Sequence, residues 1–211
     1  MKDQLSVMNK NILSIETTTN ICSVSLFNHT ELIAIKEDSN RNHSSLLGKF
    51  VNDIFQNSDM DINCVDAIAL SIGPGSYTGL RIGLSFAKGM AFSLNKPIIP
   101  INTMESINDS INDSNYFIIL PAYKDYFFIQ EYREGVKLNG ILFNTIDFIK
   151  DNSMIYGYSG NKLEKNIISI NPSSINIANV AYKYYDNYIC HDIKSIKPNY
   201  IKPIQFKENI S

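Results

Sequence analysis

The chain has 211 residues, with hydrophobic residues at 44%, charged residues at 19% and a formal net charge of −2. That length buries a sizeable core, and no apolar run approaches the eighteen or so residues of a membrane span. Residues 1–101 hold 8 basic and 9 acidic side chains and residues 102–211 hold 11 and 12, so neither half carries the positive excess of a self-sufficient nucleic-acid binder. Cys22, Cys64 and Cys190 are far apart with no CxxC, which points to reduced thiols in a cytoplasm and to no zinc site. The polar stretch Met1–Lys10 has no apolar h-region, so no secretory signal is expected.

Asn11–Ile15 reads as a short apolar strand, followed by the polar turn Glu16-Thr17-Thr18-Thr19-Asn20. Ile21–Phe27 is rich in β-formers, Asn28-His29-Thr30 is a tight turn, and Glu31–Lys36 continues as a third strand of an antiparallel meander. A helix opens at Asn42 or His43 and runs to about Asn57, with Leu46, Leu47, Phe50, Val51, Ile54 and Phe55 making an apolar stripe wider than one core-facing side requires. Val65–Ile72 is a continuous apolar run suited to a buried strand. Gly73-Pro74-Gly75-Ser76 breaks it, and Ser76 or Thr78 can cap a second helix to about Leu94. Pro97–Ile101 is a further buried strand, and the order βββαβαβ is an α/β layout.

Met104–Ile111 is expected to be helical. Asn115–Ala122, Tyr126–Tyr132 and Val136–Phe143 are expected as strands, with Arg133-Glu134-Gly135 as a hairpin turn. Ile146–Lys150 reads as a short helix, Met154–Tyr158 as a strand and Ile175–Tyr188 as an aromatic-rich helix. The order of the first half recurs, which predicts two similar α/β units, 1–101 and 102–211.

Three features bear on chemistry. Glu16 with Thr17 and Thr18 stands in a strand–turn–strand, the arrangement by which one nucleotide-binding architecture holds phosphate, and also that of an ordinary polar turn. Within Ser76–Leu94, Gly79, Gly83, Ala87 and Ala91 recur every fourth residue and strip one helix face of side chains. Each mid-helix glycine costs roughly 0.5–1 kcal/mol against alanine, so a second backbone is expected against that face, from the chain's own sheet or from another protein. His43 is followed four residues on by Leu47, so no His-x-x-x-His pair is available for a metal. No Walker loop, no Gly-x-Ser-x-Gly elbow and no Gly-Gly in the second half is present.

ILSIETTTNICSVSLF, NHSSLLGKFV and above all DAIALSIGPGSYTGLRIGLSFAKGMAFSLNKP, together with the tail Pro198-Asn199-Tyr200-Ile201-Lys202, resemble the bacterial TsaB (YeaZ) family. The resemblance implies an actin-like/Hsp70-like ATPase fold of two ribonuclease-H-like units. It also implies a cytoplasmic, non-catalytic scaffold or activator in making threonylcarbamoyladenosine in tRNA, beside the anticodon. Such a chain pairs with a homologous catalytic subunit, TsaD, which holds the metal, with TsaE as a third component. A homodimer is implied as possible when the chain is isolated, tRNA contact only through the complex, and no metal or cofactor on this chain alone. Two departures stand out: Pro121-Ala122-Tyr123 replaces the family's Asp-Ala-Arg, and Glu16 replaces the commoner Asp. The partner surface is expected on Leu46, Leu47, Phe50, Val51, Gly79, Gly83, Ala87 and Met90. The rival readings are an active ATP-dependent transferase or metallopeptidase of the same fold, and an RNA-binding module.

Overall fold

The computed structural model describes residues 9–40, 42–150, 152–158 and 166–201. Its first sheet is built from β1 (Asn11–Glu16), β2 (Cys22–Asn28), β3 (Glu31–Asp38), β4 (Ala67–Ser71) and β5 (Ile98–Ile101), in the order β3-β2-β1-β4-β5. β1, β2 and β3 pair antiparallel, while β1, β4 and β5 run parallel. The register sets Ile15 opposite Val24 on one side and opposite Leu70 on the other.

Period-two alternation along β1 feeds two cores. Leu13 and Ile15 face α1 (His43–Gln56) and α2 (Tyr77–Leu94), joining Leu47, Val51, Ile54, Leu84 and Ala87. Ile12 faces the other way, with Ala67, Ala69, Ile99 and Ile101, and meets Ile177, Val180 and Ala181 of α4 (Ser174–Lys183). A helix from the second half of the sequence therefore covers the back of the first sheet. Its N-terminus is tied there by Ser23 and Ser174, whose Oγ atoms lie 2.6 Å apart, and by Glu37, which accepts from Ser23 Oγ at 2.7 Å.

The second sheet holds β6 (Asn115–Pro121), β7 (Tyr126–Arg133), β8 (Val136–Lys137), β9 (Leu142–Thr145), β10 (Ile155–Gly157) and β11 (Ile167–Ser169). β6 pairs antiparallel with β7 and parallel with β10, which is followed by β11; β8 and β9 both lie on the far edge of β7. This repeats the strand order of the first sheet. α3 (Thr103–Asn108) covers one face through Met104 and Ile107 against Tyr116, Ile118 and Leu120. Ile146 and Ile149 close the other against Ile119, Phe127 and Ile129.

Several elements differ from the sequence-based expectation. Val136–Phe143 is not one strand: Asn139 O accepts from the buried Gln130 Nε2 at 2.6 Å, and the chain leaves the edge there before returning as β9. Ile175–Tyr188 is two helices, α4 and α5 (Tyr185–Tyr188), because Tyr184 has a non-helical backbone. Ile146–Phe148 is a 3₁₀ turn. β11 has no counterpart in the sequence reading, since three residues carry too little pattern to register. Among the described residues no helix is long and apolar enough to cross a membrane.

Candidate functional site

The turn after β1 is built around a sealed carboxylate. Glu16 Oε1 accepts from both the backbone N–H and the hydroxyl of Thr18, and Ser71 lies beside the same carboxyl group. Glu16 and Thr17 have no exposed surface and Thr18 has 2%. Burial pushes the Glu16 pKa up, and the hydrogen bonds from Thr18 offset this only in part. Glu16 Oε2 and Ser71 Oγ have no hydrogen-bond partner among the described residues.

The turn is clamped by the segment after β4. Ser76 N donates to Thr18 O at 2.7 Å, and Thr17 Oγ1 donates to Gly79 O at 2.9 Å. A Cβ on Gly79 would overlap the Thr17 carbonyl oxygen, and one on Gly83 would overlap Thr17 Oγ1. The backbone pressed on the small-residue face of α2 is therefore the chain's own β1 turn. Ser76 caps α2, its Oγ accepting from Gly79 N at 3.2 Å. Gly75 has φ +157, and a Cβ there would overlap Thr18, so the turn holds this approach only without a side chain.

These loops, at the carboxyl ends of β1 and β4, face Leu120, Pro121 and Ala122 at the end of β6 and Tyr158 after β10. Between them lies a cleft of about 550 Å³. Ligands of open α/β sheets bind outside such strand ends. His43, the first residue of α1, lines the cleft and is 6% exposed. Its Nε2 lies 2.9 Å from Thr19 O, an acceptor, so Nε2 carries the proton, and the buried Nδ1 has no partner among the described residues. The rest of the described lining is Thr18, Thr19, Asn20, Gly75, Ser76, Tyr77, Thr78, Gly79 and Ile82, with no carboxylate, lysine or arginine. On the second sheet, the β6–β7 hairpin closes on itself through Ala122 N to Tyr126 O at 3.0 Å and Tyr126 N to Tyr123 O at 3.1 Å.

The sequence-predicted residues separate accordingly. Of the candidate nucleotide contacts, Thr18 reaches the cleft, whereas Glu16 and Thr17 are enclosed beneath it, because the loop turns its carboxylate inward to hold its own backbone. Of the residues expected at a partner surface, Leu47, Phe50, Val51, Gly79, Gly83 and Ala87 are buried in this chain, and Leu46 and Met90 are half-buried. Phe50 thus joins the core stripe of α1, contrary to its expected place on a partner surface. Among the described residues no group of three or more His, Cys, Asp or Glu is placed to hold a metal. A second hollow of about 700 Å³ includes Glu105, Asp109 and Lys183, but Glu105 accepts from Tyr188 OH at 2.7 Å and Asp109 pairs with Lys183 at 3.0 Å. Its carboxylates are already engaged within the fold.

Sequence reasoning did not find an aromatic cluster beside the cleft, formed by Tyr77, Tyr123, Tyr126, Phe143 and Tyr200. These residues are dispersed along the chain and have no common spacing that would have joined them.

Two helix-covered mixed sheets of one strand order, meeting at a cleft between strand ends, make this a protein of the actin-like ATPase fold. Two solved Pseudomonas aeruginosa structures, one of YeaZ and one of a protein similar to peptidase YeaZ, superpose with TM-scores of 0.75 and 0.77 at 18% identity, covering 91% and 92% of this chain and all of theirs. The fold is that of these YeaZ structures, and over about half of its length the sequence is similar to curated TsaB proteins. It is 37% identical over 101 residues to the tRNA threonylcarbamoyladenosine biosynthesis protein TsaB of Haemophilus influenzae, covering 48% of this chain and 43% of that one. Against TsaB of Escherichia coli it is 38% identical over 93 residues, covering 44% and 40%. A tRNA N6-adenosine threonylcarbamoyltransferase of Clostridium perfringens is 34% identical over 91 residues, covering 43% and 27%. The family model described as TsaD, tRNA N6-adenosine threonylcarbamoyltransferase, matches residues 34–134. Each match covers less than half of the curated relative's length.

Proposed function

We propose that this chain is a non-catalytic subunit in the biosynthesis of threonylcarbamoyladenosine in tRNA, acting by pairing with a TsaD-type transferase. The observation that carries the reading is the composition of the cleft: a lone imidazole, with no carboxylate and no cation among the described lining residues. Transfer chemistry on a nucleotide or a metal needs charge opposite the developing negative oxygen, and the one acid at this position, Glu16, is sealed inside a turn. The names of the TsaB relatives supply the pathway, and the match to the TsaD family model supplies the kinship with the proposed partner.

In this reading the chain works through a surface. Leu46 on α1 and Ile82, Phe86 and Met90 on α2 pack against the first core yet stay partly open, and Phe92 is 78% exposed. Apolar side chains left partly open along two neighbouring helices are a candidate interaction site, and they offer a TsaD-type chain of the same fold two helices to pair with. A TsaE-type subunit joins as a third component, tRNA is engaged through the assembly, and the whole works in the cytoplasm. The same surface can self-pair when the chain is alone.

The test is co-expression with the organism's TsaD homologue, followed by reconstitution of tRNA modification with and without this chain. Co-purification and a requirement for the chain are expected. Modification by this chain alone with ATP, or full activity of the transferase without it, would overturn the subunit role.

A further inference from the structure

Beside the cleft, and sharing Gly75 to Tyr77 and Pro121 to Ala122 with it, runs a groove of about 590 Å³ walled by aromatic rings. Tyr77 is 56% exposed and Tyr123 is 69% exposed. Tyr126 and Phe143 stack at 4.8 Å between centroids and 8° between planes. Cations stand over the rings: the Arg81 guanidinium lies 3.8 Å from the Tyr77 centroid, with its Nε donating to Tyr200 OH at 3.0 Å, and Lys124 Nζ lies 5.4 Å from the Tyr123 centroid. No carboxylate among the described residues lines the groove.

We propose that this groove stacks unpaired nucleotides of RNA; the inference rests on the reading of the chain as part of a tRNA-modifying assembly, and names a contact this chain makes itself. Flat rings interleaved with Arg and Lys are the means by which proteins hold unstacked bases, because every base has a π face and every linkage a phosphate. The sign of the charge matches: Lys124 lines the groove and Arg81 flanks it, with no acid among the described lining residues to repel a phosphate. A protein partner is the less suited occupant, since Ile201 is the single branched aliphatic residue among the described lining residues and little there interdigitates as an interface core does. Two cations make the contact weak alone, so it adds to binding by the assembly rather than replacing it.

The chain contains no tryptophan, so Tyr123→Trp places a unique fluorophore on the groove without deleting the ring. In the full-length chain, an unpaired RNA oligomer of roughly ten nucleotides is expected to quench it at a concentration about tenfold lower than the same strand in a duplex, or than free UMP or AMP. Tyr77→Ala is expected to weaken this at least about fivefold. Lys124→Gln is expected to lower the slope of log affinity against log salt by about 1. Absence of quenching into the millimolar range, equal quenching by the duplex, or mononucleotides binding as well as the oligomer would each overturn the proposal. So would a Tyr123→Ala, Lys124→Gln chain that loses its hold on the transferase while keeping oligomer affinity, since the groove would then be a protein surface. Failure here is separable from failure of the subunit role: a chain that co-purifies with the transferase but shows no quenching retains the role and loses the groove.

Discussion

Thr17 Oγ1 donates to the carbonyl of Gly79 at 2.9 Å while the Thr17 backbone carbonyl fills the space a Gly79 side chain would need. One residue of the β1 turn thereby accounts for a glycine in the first turn of α2. The two glycines make different demands. At Gly79 the obstacle is a backbone carbonyl, which cannot move without shifting β1; at Gly83 it is the Thr17 hydroxyl, which can rotate away. Gly79→Ala is therefore expected to lose about 1–3 kcal/mol of stability by overpacking. Gly83→Ala is expected to change stability little, because the lost Thr17 hydrogen bond, about 1 kcal/mol, is offset by about the same gain in helix propensity. An added Cβ at Gly83 already lies 3.3 Å from Leu70 Cδ1, so the larger side chain of Gly83→Leu should lose stability as Gly79→Ala does. Chemical denaturation of the three variants measures the order.

Glu16 gives a pH signature. Its folded pKa is raised above the ordinary value of 4.5, chiefly by burial. The folded state thus holds its proton more tightly than the unfolded state does. The stability that goes with this is fully present below pH 4.5, and is lost as pH rises through the folded value. Glu16→Gln keeps an oxygen for the Thr18 donors and has no proton to lose. Melting temperatures of the two proteins from about pH 4 to 8 should diverge in favour of Glu16→Gln as pH rises. A constant offset across that range would show that the buried carboxyl does not titrate with folding.

The cleft predicts weak ligand chemistry. Divalent metal is expected to leave the melting temperature of the isolated chain unchanged, and calorimetry is expected to show no micromolar ATP binding, since the described lining offers His43 alone among ionisable groups of suitable charge. A bound ligand at a hundred times its Kd would stabilise the fold by about 2.7 kcal/mol, which a thermal scan resolves easily.

The first sheet was legible in the sequence because its strands are long apolar runs bounded by polar turns, and because Gly-Pro-Gly-Ser marks the β4 to α2 junction. β8, β9 and β11 were not: they are two to four residues long and are held by partners far away, such as the Gln130 to Asn139 contact. The site was half legible. Glu16 to Thr19 read as a turn, but sequence does not tell whether a carboxylate points at a ligand or at its own backbone. The glycine face was equally ambiguous, and the Thr17 contact resolves it inward. The Gly48 to Phe86 approach of α1 and α2 was invisible for the same reason: it depends on how two helices pack, not on the pattern of either.

The surface left open on α1 and α2 carries the last prediction. Phe50 is 8% exposed inside the first core, so Phe50→Glu buries a charge and should unfold the chain or cost several kcal/mol. Leu46 and Met90 keep part of their surface in solvent, so Leu46→Glu and Met90→Glu can turn their carboxylates outward and should fold with nearly unchanged circular dichroism. If these helices meet a TsaD-type partner, an outward charge in an apolar contact should weaken the pair about tenfold to a hundredfold for each substitution. Sedimentation of the wild-type and variant chains with the partner separates the cases: folded variants that pair as the wild type does would move the interface off these helices. Loss of a homodimer together with the heterodimer would show that one surface serves both.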